Sequence, residues 1–203
     1  MTNFTDLTGL ASAASVTTAS LLMVPRIARL GKAHLAMLLA SVLVLTLIPF
    51  GGMPLAAYVR GMTGDLSITT MVLLWCALLR PWDACAKVRA KHRYALLILI
   101  ACSAIAFYPM ALGAGLFDPY RLGYGKPQFV AALLFLALFA WYRESVLIAL
   151  CIALALLAWS VGWYESDNIW DYLLDPFVAF YALAASLIYG ANKLQKWQRD
   201  STG

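Results

Sequence analysis

Residues 145–163 read SVLIALCIALALLAWSVGW, nineteen positions without a charge, a proline or any polar–apolar alternation. A soluble surface helix keeps a polar stripe toward water, and a membrane β-strand alternates lipid-facing and lumen-facing residues over about ten positions. This stretch does neither. It is apolar all round, and its length approaches the roughly 20 residues needed to cross a hydrocarbon layer about 30 Å thick. The expectation is a helix in lipid, and a transmembrane β-barrel is set aside.

Comparable blocks stand on either side. Residues 33–50 (AHLAMLLASVLVLTLIPF), 94–116 and 175–190 are strong, and 65–80 and 127–142 are shorter. Asp65 and Asp175 suit helix N-caps, and Pro127 and Pro176 suit first helical positions. Even the short helices then reach about 24 Å at 1.5 Å per residue, enough for a slightly thinned bilayer with Trp and Tyr at its borders. Composition agrees: 63% of the chain is apolar and 12% charged, against about 45–50% and 25% in soluble domains. Too few polar side chains are present to cover a water-facing surface of this size. The expected fold is all-α, a polytopic transmembrane bundle of six spans forming one integral membrane domain over 1–203. Residues 1–32 read as an N-terminal interfacial or cytoplasmic segment and 191–203 as a cytoplasmic tail.

Charge placement orients the bundle. Arg26, Arg29, Lys32, Arg80, Lys87, Arg89, Lys91, Arg93, Arg143, Lys193, Lys196 and Arg199 fall on one side, while only Arg60, Arg121 and Lys126 fall on the other. The positive-inside rule puts the first set in the cytoplasm, hence N-in and C-in. The net charge of +5 thereby serves topology, and no nucleic-acid partner is expected. An all-helical polytopic chain fits the bacterial inner (plasma) membrane.

Residues 6–24 admit two readings. Their stretch is uncharged after Asp6, yet 8–24 holds seven Gly, Ser or Thr residues and no basic region precedes it. That argues against a secretory signal and against easy insertion, leaving an interfacial helix. The alternative is a seventh span, which moves the N-terminus outside.

Three outer connections carry aromatics and carboxylates: MPLAAYVRGMTGD (53–65), FDPYRLGYGKP (117–127) and YESDNIWDYLLDP (164–176). In the last, a short helix would bring Asp167 and Asp171 to one face, with Trp170, Leu173 and Leu174 against the membrane surface. Two close carboxylates can bind a cation or share a proton; an amphipathic interfacial helix explains them equally. Arg60 and Arg121 offer planar forks for a phosphate or carboxylate, or pair with Asp65 and Asp118. Candidate headgroup- or substrate-binding residues are therefore Arg60, Arg121, Glu165, Asp167, Asp171 and Trp170. The outer aromatics Tyr58, Phe117, Tyr120, Tyr124, Trp163, Tyr164, Trp170 and Tyr172 read mainly as an interfacial belt.

Inside the spans, Pro109 in AFYPMALGAG predicts a kink. Ala182, Ser186 and Gly190 form a small-residue stripe that admits a neighbouring helix. No charge lies mid-span, so an obvious proton relay is not expected. His34 and His92 lie at inner helix ends, and Cys76, Cys85, Cys102 and Cys151 are scattered. Such placement gives no haem pair, metal spacing or external disulfide, and no Gly-rich phosphate loop is present. No metal or other cofactor is expected.

The length and the N-in/C-in plan resemble, in architecture alone, the small substrate-binding membrane subunits of vitamin importers. The functional expectation is a non-catalytic polytopic subunit, a small transport, solute-binding or accessory component. Its expected partners are membrane lipids and other membrane chains. The alternative is an outer-face enzyme acting on a lipid-linked glycan or phospholipid headgroup through loop carboxylates.

Overall fold

The computed structural model describes residues 4–24, 27, 30–82 and 90–202. Arg26, Arg29, Cys85, Lys87 and Arg89, named above for charge or thiol placement, lie outside the described residues. Nine α-helices occupy the described residues: α1 Phe4–Ser20, α2 Lys32–Leu47, α3 Leu55–Thr63, α4 Ile68–Leu79, α5 Ala90–Ala111, α6 Pro127–Tyr142, α7 Val146–Ser160, α8 Ile169–Leu173 and α9 Pro176–Thr202. Apart from a two-residue antiparallel pairing, β1 Pro49–Phe50 with β2 Met53–Pro54, the regular structure is helical. Two helical stretches, His92–Ala111 and Pro176–Arg199, are long and apolar enough to cross a membrane.

The stretch that opened the reading, now α7, is central. It packs against α4, α5, α6 and α8, burying Leu147, Ile148, Cys151, Ile152, Ala155, Leu156 and Ala158. Its outer stripe of Leu150, Leu154 and Leu157 stays exposed, as do Met37, Phe135, Leu138, Phe180 and Leu187 on α2, α6 and α9. Residues 143–145 alone turn α6 into α7, with Glu144 at a positive φ of 58°. The α5–α9 pair closes the other flank. There Tyr94 stacks on Tyr189 with centroids 4.2 Å apart, and the Arg93 guanidinium donates to the Tyr181 hydroxyl at 2.5 Å.

Pro109 lies near the end of α5. That helix stops at Ala111 rather than running to 116, and Gly113 leaves at φ +92°. Lacking an N–H, proline withholds one bond from the carbonyl four residues back, and the helix ends within a turn of it. At the chain's other end, helix continues through the stretch read as a tail, to Thr202.

The finding that most alters the outline concerns α1. Instead of standing apart, it packs against α2, α3 and α4, and Thr8, Gly9, Ser12, Ala13, Ala14, Ser15, Thr18 and Ala19 are buried. Its small side chains let α3 come close, Ala13 and Ala14 meeting Ala56. Its hydroxyls do not go unsatisfied, since Ser12, Ser15, Thr17 and Thr18 donate to the carbonyl four residues back at 2.7–2.9 Å. That back-bonding lets hydroxyl residues sit in an apolar interior.

The direction of α1 follows from its neighbours. Near its start, Thr8 donates to the Trp163 carbonyl at 2.7 Å, and Gly9 lies beneath the Arg60–Asp65 pair. Near its end, Ala19 shares a cluster with Leu35 at the start of α2 and Leu78 at the end of α4. The helix therefore runs from the end holding the 163–175 connection to the opposite end. With α2, α4, α5, α6, α7 and α9 it makes seven helices in alternating direction.

Candidate functional site

The connections 53–65, 117–127 and 164–176 gather at one end of the bundle, and each carries a short helical piece: α3, a 3-10 turn over Pro119–Gly123, and α8. Their polar side chains are used largely to dock these pieces on one another.

Asp175 is the most heavily engaged. It is buried at 7% exposure. One carboxylate oxygen accepts the Val178 N–H at 2.9 Å, capping α9. The other accepts the Ser67 N–H at 3.0 Å, the Ser67 hydroxyl at 2.7 Å and the Thr70 hydroxyl. Ser67 in turn caps α4, accepting the Thr70 N–H at 3.2 Å. One carboxylate thus faces the N-terminal ends of two helices, where the partial positive charge of the peptide dipoles favours an anion. The expected N-cap role of Asp175 holds. That of Asp65 does not: Ser67 takes the α4 cap, and Asp65 pairs with Arg60 instead, Nε to Oδ1 at 2.8 Å and Nη2 to Oδ2 at 3.2 Å. Geometry decides this, because the α4 helix starts at Ile68 and only Ser67 sits at the capping position.

The pair also explains Gly9. A Cβ there would lie 2.2 Å from Arg60 Nε and 2.8 Å from Asp65 Oδ1. Arg121 has no equivalent partner among the described residues: it is exposed, while Asp118 caps the 3-10 turn by accepting the Tyr120 N–H at 2.9 Å.

The last connection differs from the surface helix expected. Helix α8 starts at Ile169 under an Asn168 cap, which accepts the Trp170 N–H at 3.0 Å. Asp167 lies before that cap, exposed, whereas Asp171 is half-buried and accepts hydroxyl protons from Ser166 at 2.5 Å and Tyr120 at 2.9 Å. The two carboxylates therefore have separate settings. Trp170 packs between Phe107 and Phe129, with centroids 4.5 and 4.9 Å away, and its indole donates to the Pro119 carbonyl at 3.0 Å. Ile169 and Leu174 are buried in the main core. Helix α8 plugs the bundle mouth because its apolar side chains find an aromatic slot there, which gains more than a half-wetted membrane surface. Gly123 makes the dock: a Cβ on it would lie 1.7 Å from Asn168 Oδ1.

The aromatic belt divides likewise. Tyr58, Phe117, Tyr124 and Trp163 are exposed, Tyr120 and Trp170 are half-buried, and Tyr164 and Tyr172 are buried. Burial pushes the Tyr164 hydroxyl up to about 12, with the nearby Ser12 opposing and Asp65 adding to the rise. Burial also raises Tyr172 and Tyr120, the latter helped by its hydrogen bond to Asp171.

One hollow opens on this end. It is an open depression of about 490 Å³, lined by Tyr124, Gly125, Trp159, Ser160 and Asp167. Of the residues singled out from sequence, Asp167 lines it, Glu165 and Arg121 are exposed on the neighbouring connections, and Arg60, Asp171 and Trp170 are engaged within the fold. Trp159, Ser67, Thr70, Gly9 and Gly123 escaped sequence reasoning. Ser67 three residues before Thr70, ahead of an apolar run, was a legible cap signature; the glycines carried no local signal.

The small-residue stripe on α9 also divides. Ala182 is fully buried in the core and Ser186 Oγ is buried without a hydrogen-bond partner among the described residues, whereas a Cβ on Gly190 would meet open space.

No protein-family model, curated protein or solved structure matches this chain. What the fold itself defines is an all-helical protein in which two helices are long and apolar enough to cross a membrane.

Proposed function

We propose that this chain is a polytopic membrane protein of seven spans, with its N-terminus outside and its C-terminus in the cytoplasm. It works as a non-catalytic transport, solute-binding or accessory subunit, and the bacterial inner membrane is its expected site. Support for the membrane setting comes from the exposed apolar stripes on α2, α6, α7 and α9, which exceed what a water-facing monomer carries. Seven spans, rather than the six expected from hydropathy, rest on the burial of α1 and its direction. The basic residues keep their sides, because 1–20 contain no Lys or Arg and the positive-inside balance is untouched.

The observation that carries the subunit reading is the use made of the outer carboxylates. Asp65, Asp118, Asp171 and Asp175 serve ion pairing, capping and docking. A general acid or base needs a side chain within reach of substrate, and these four are committed to the fold. The enzyme reading retains one supporting feature, the hollow with Asp167 at its edge.

Mass spectrometry on protein extracted in its native lipid separates the two. A stoichiometric second chain is the expected result. A single chain with intrinsic turnover on a lipid-linked substrate would replace the subunit reading by the enzyme.

A further inference from the structure

The hollow at the outer end has a construction beyond what the fold requires. Trp159 is the last aromatic of α7, and its indole N–H donates to the Asp167 carbonyl at 2.8 Å, which fixes the ring's rotation. Gly125, at φ +64°, lies close against the ring's six-membered part: a Cβ there would stand 3.2 Å from Trp159 Cζ2. Tyr124, also in the lining, is held edge-on to Tyr120, with centroids 5.7 Å apart, yet keeps 59% of its surface exposed. Two aromatic residues and the exposed Asp167 therefore line a single open space of about 490 Å³.

The chemistry of the lining selects an occupant. Aromatic faces carry negative potential and attract organic cations, tryptophan most strongly, and ring cages are the recurring solution for methylated ammonium groups. Asp167, exposed in the lining, carries a carboxylate that attracts a cation, and Glu165, also exposed, is two residues away in sequence. Lys126 follows Gly125 and is exposed too, so the rim offers a cation suited to an anionic tail on the same ligand.

We infer that the Tyr124–Trp159–Asp167 hollow binds the ammonium group of a small organic cation or zwitterion, either a free solute or the headgroup of a lipid. This rests on the solute-binding form of the proposed function and gives it a ligand class.

The test is calorimetric titration of the purified full chain in detergent with choline and with 3,3-dimethylbutan-1-ol, its uncharged analogue of the same shape. Saturable binding of choline and at least a tenfold weaker response to the alcohol are expected. Asp167→Asn and Tyr124→Leu, both changing exposed side chains, should each weaken choline by about tenfold. Equal binding of the two compounds, saturation by a neutral sugar alone, or unchanged affinity in both variants would overturn the inference. Repeating the titration in nanodiscs of phosphatidylcholine and of phosphatidylglycerol distinguishes the sources. Choline binding lost only in the first marks a lipid headgroup as occupant; binding retained in both marks a free solute. Failure of every titration leaves a co-purifying partner chain, and with it the subunit reading, intact.

Discussion

Tyr164 and Tyr172 stand with ring centroids 5.2 Å apart, but their hydroxyls are treated oppositely. The Tyr172 hydroxyl accepts the Tyr164 N–H at 3.1 Å and lies 3.0 Å from the Ser166 carbonyl, whereas the Tyr164 hydroxyl is buried without a hydrogen-bond partner among the described residues. Removing a satisfied buried hydroxyl leaves its partners stranded; removing an unsatisfied one does not. Tyr172→Phe should therefore cost about 1–2 kcal/mol of stability near neutral pH, while Tyr164→Phe should be neutral or stabilising. Thermal unfolding in detergent measures both. The pair also has an alkaline signature. Folding raises Tyr164 from its ordinary value of 10 to about 12, so the unfolded chain releases this proton first. Its contribution is constant below pH 10 and is lost as pH rises toward 12. Tyr164→Phe should make that alkaline fall shallower than in the wild type. An equal slope would show that this tyrosine ionises alike in both states.

Among elements, the joint between α4 and α9 concentrates the most hydrogen bonds on one side chain. Asp175 holds the first turns of both helices, which are 108 residues apart in the chain at Ser67. Asp175→Ala strips a cap from α9 and the acceptor from three donors of Ser67 and Thr70. Loss of a cap costs about 1 kcal/mol, and stranded buried donors add about 1–3 kcal/mol. Stability should drop by about 3 kcal/mol in total. Hydrogen exchange should accelerate at the first turns of α4 and α9 together, while α6 remains protected. Acceleration confined to α9 would reduce Asp175 to an ordinary cap. The sequence offered Asp175 as a cap through its place before Pro176. It could not offer Ser67 and Thr70 as partners, because nothing local brings residues so distant to one point.

At the scale of the whole molecule, the direction of α1 sets the topology. Seven alternating helices put the start of α1 and the 163–175 connection at one end, and the end of α9 at the other. In a background where the four cysteines are replaced, Asn3→Cys and Tyr124→Cys should both react with an impermeant thiol reagent added outside intact cells. Lys193→Cys should react only after the membrane is opened. Protection of Asn3→Cys with labelling of Tyr124→Cys would return the six-span plan.

Apolar patterning alone determined the all-helical class and the position of the six strongest helices. The α6–α7 hairpin fell within three residues of its expected bounds, because uniform apolar runs leave the backbone no choice but internal hydrogen bonding. The basic residues set the expected orientation for the same one-dimensional reason. Tertiary structure decided the rest. Residues 6–24 looked too polar to insert, yet neighbours bury most of 8–19 and hydroxyls there bond back to their own helix, a satisfaction that hydropathy does not count. Arg60, Asp171 and Trp170 looked available for a ligand, and long-range partners engaged them in the fold. Trp159 looked like one more apolar residue of a span, until the fold set it beside Tyr124 and Asp167.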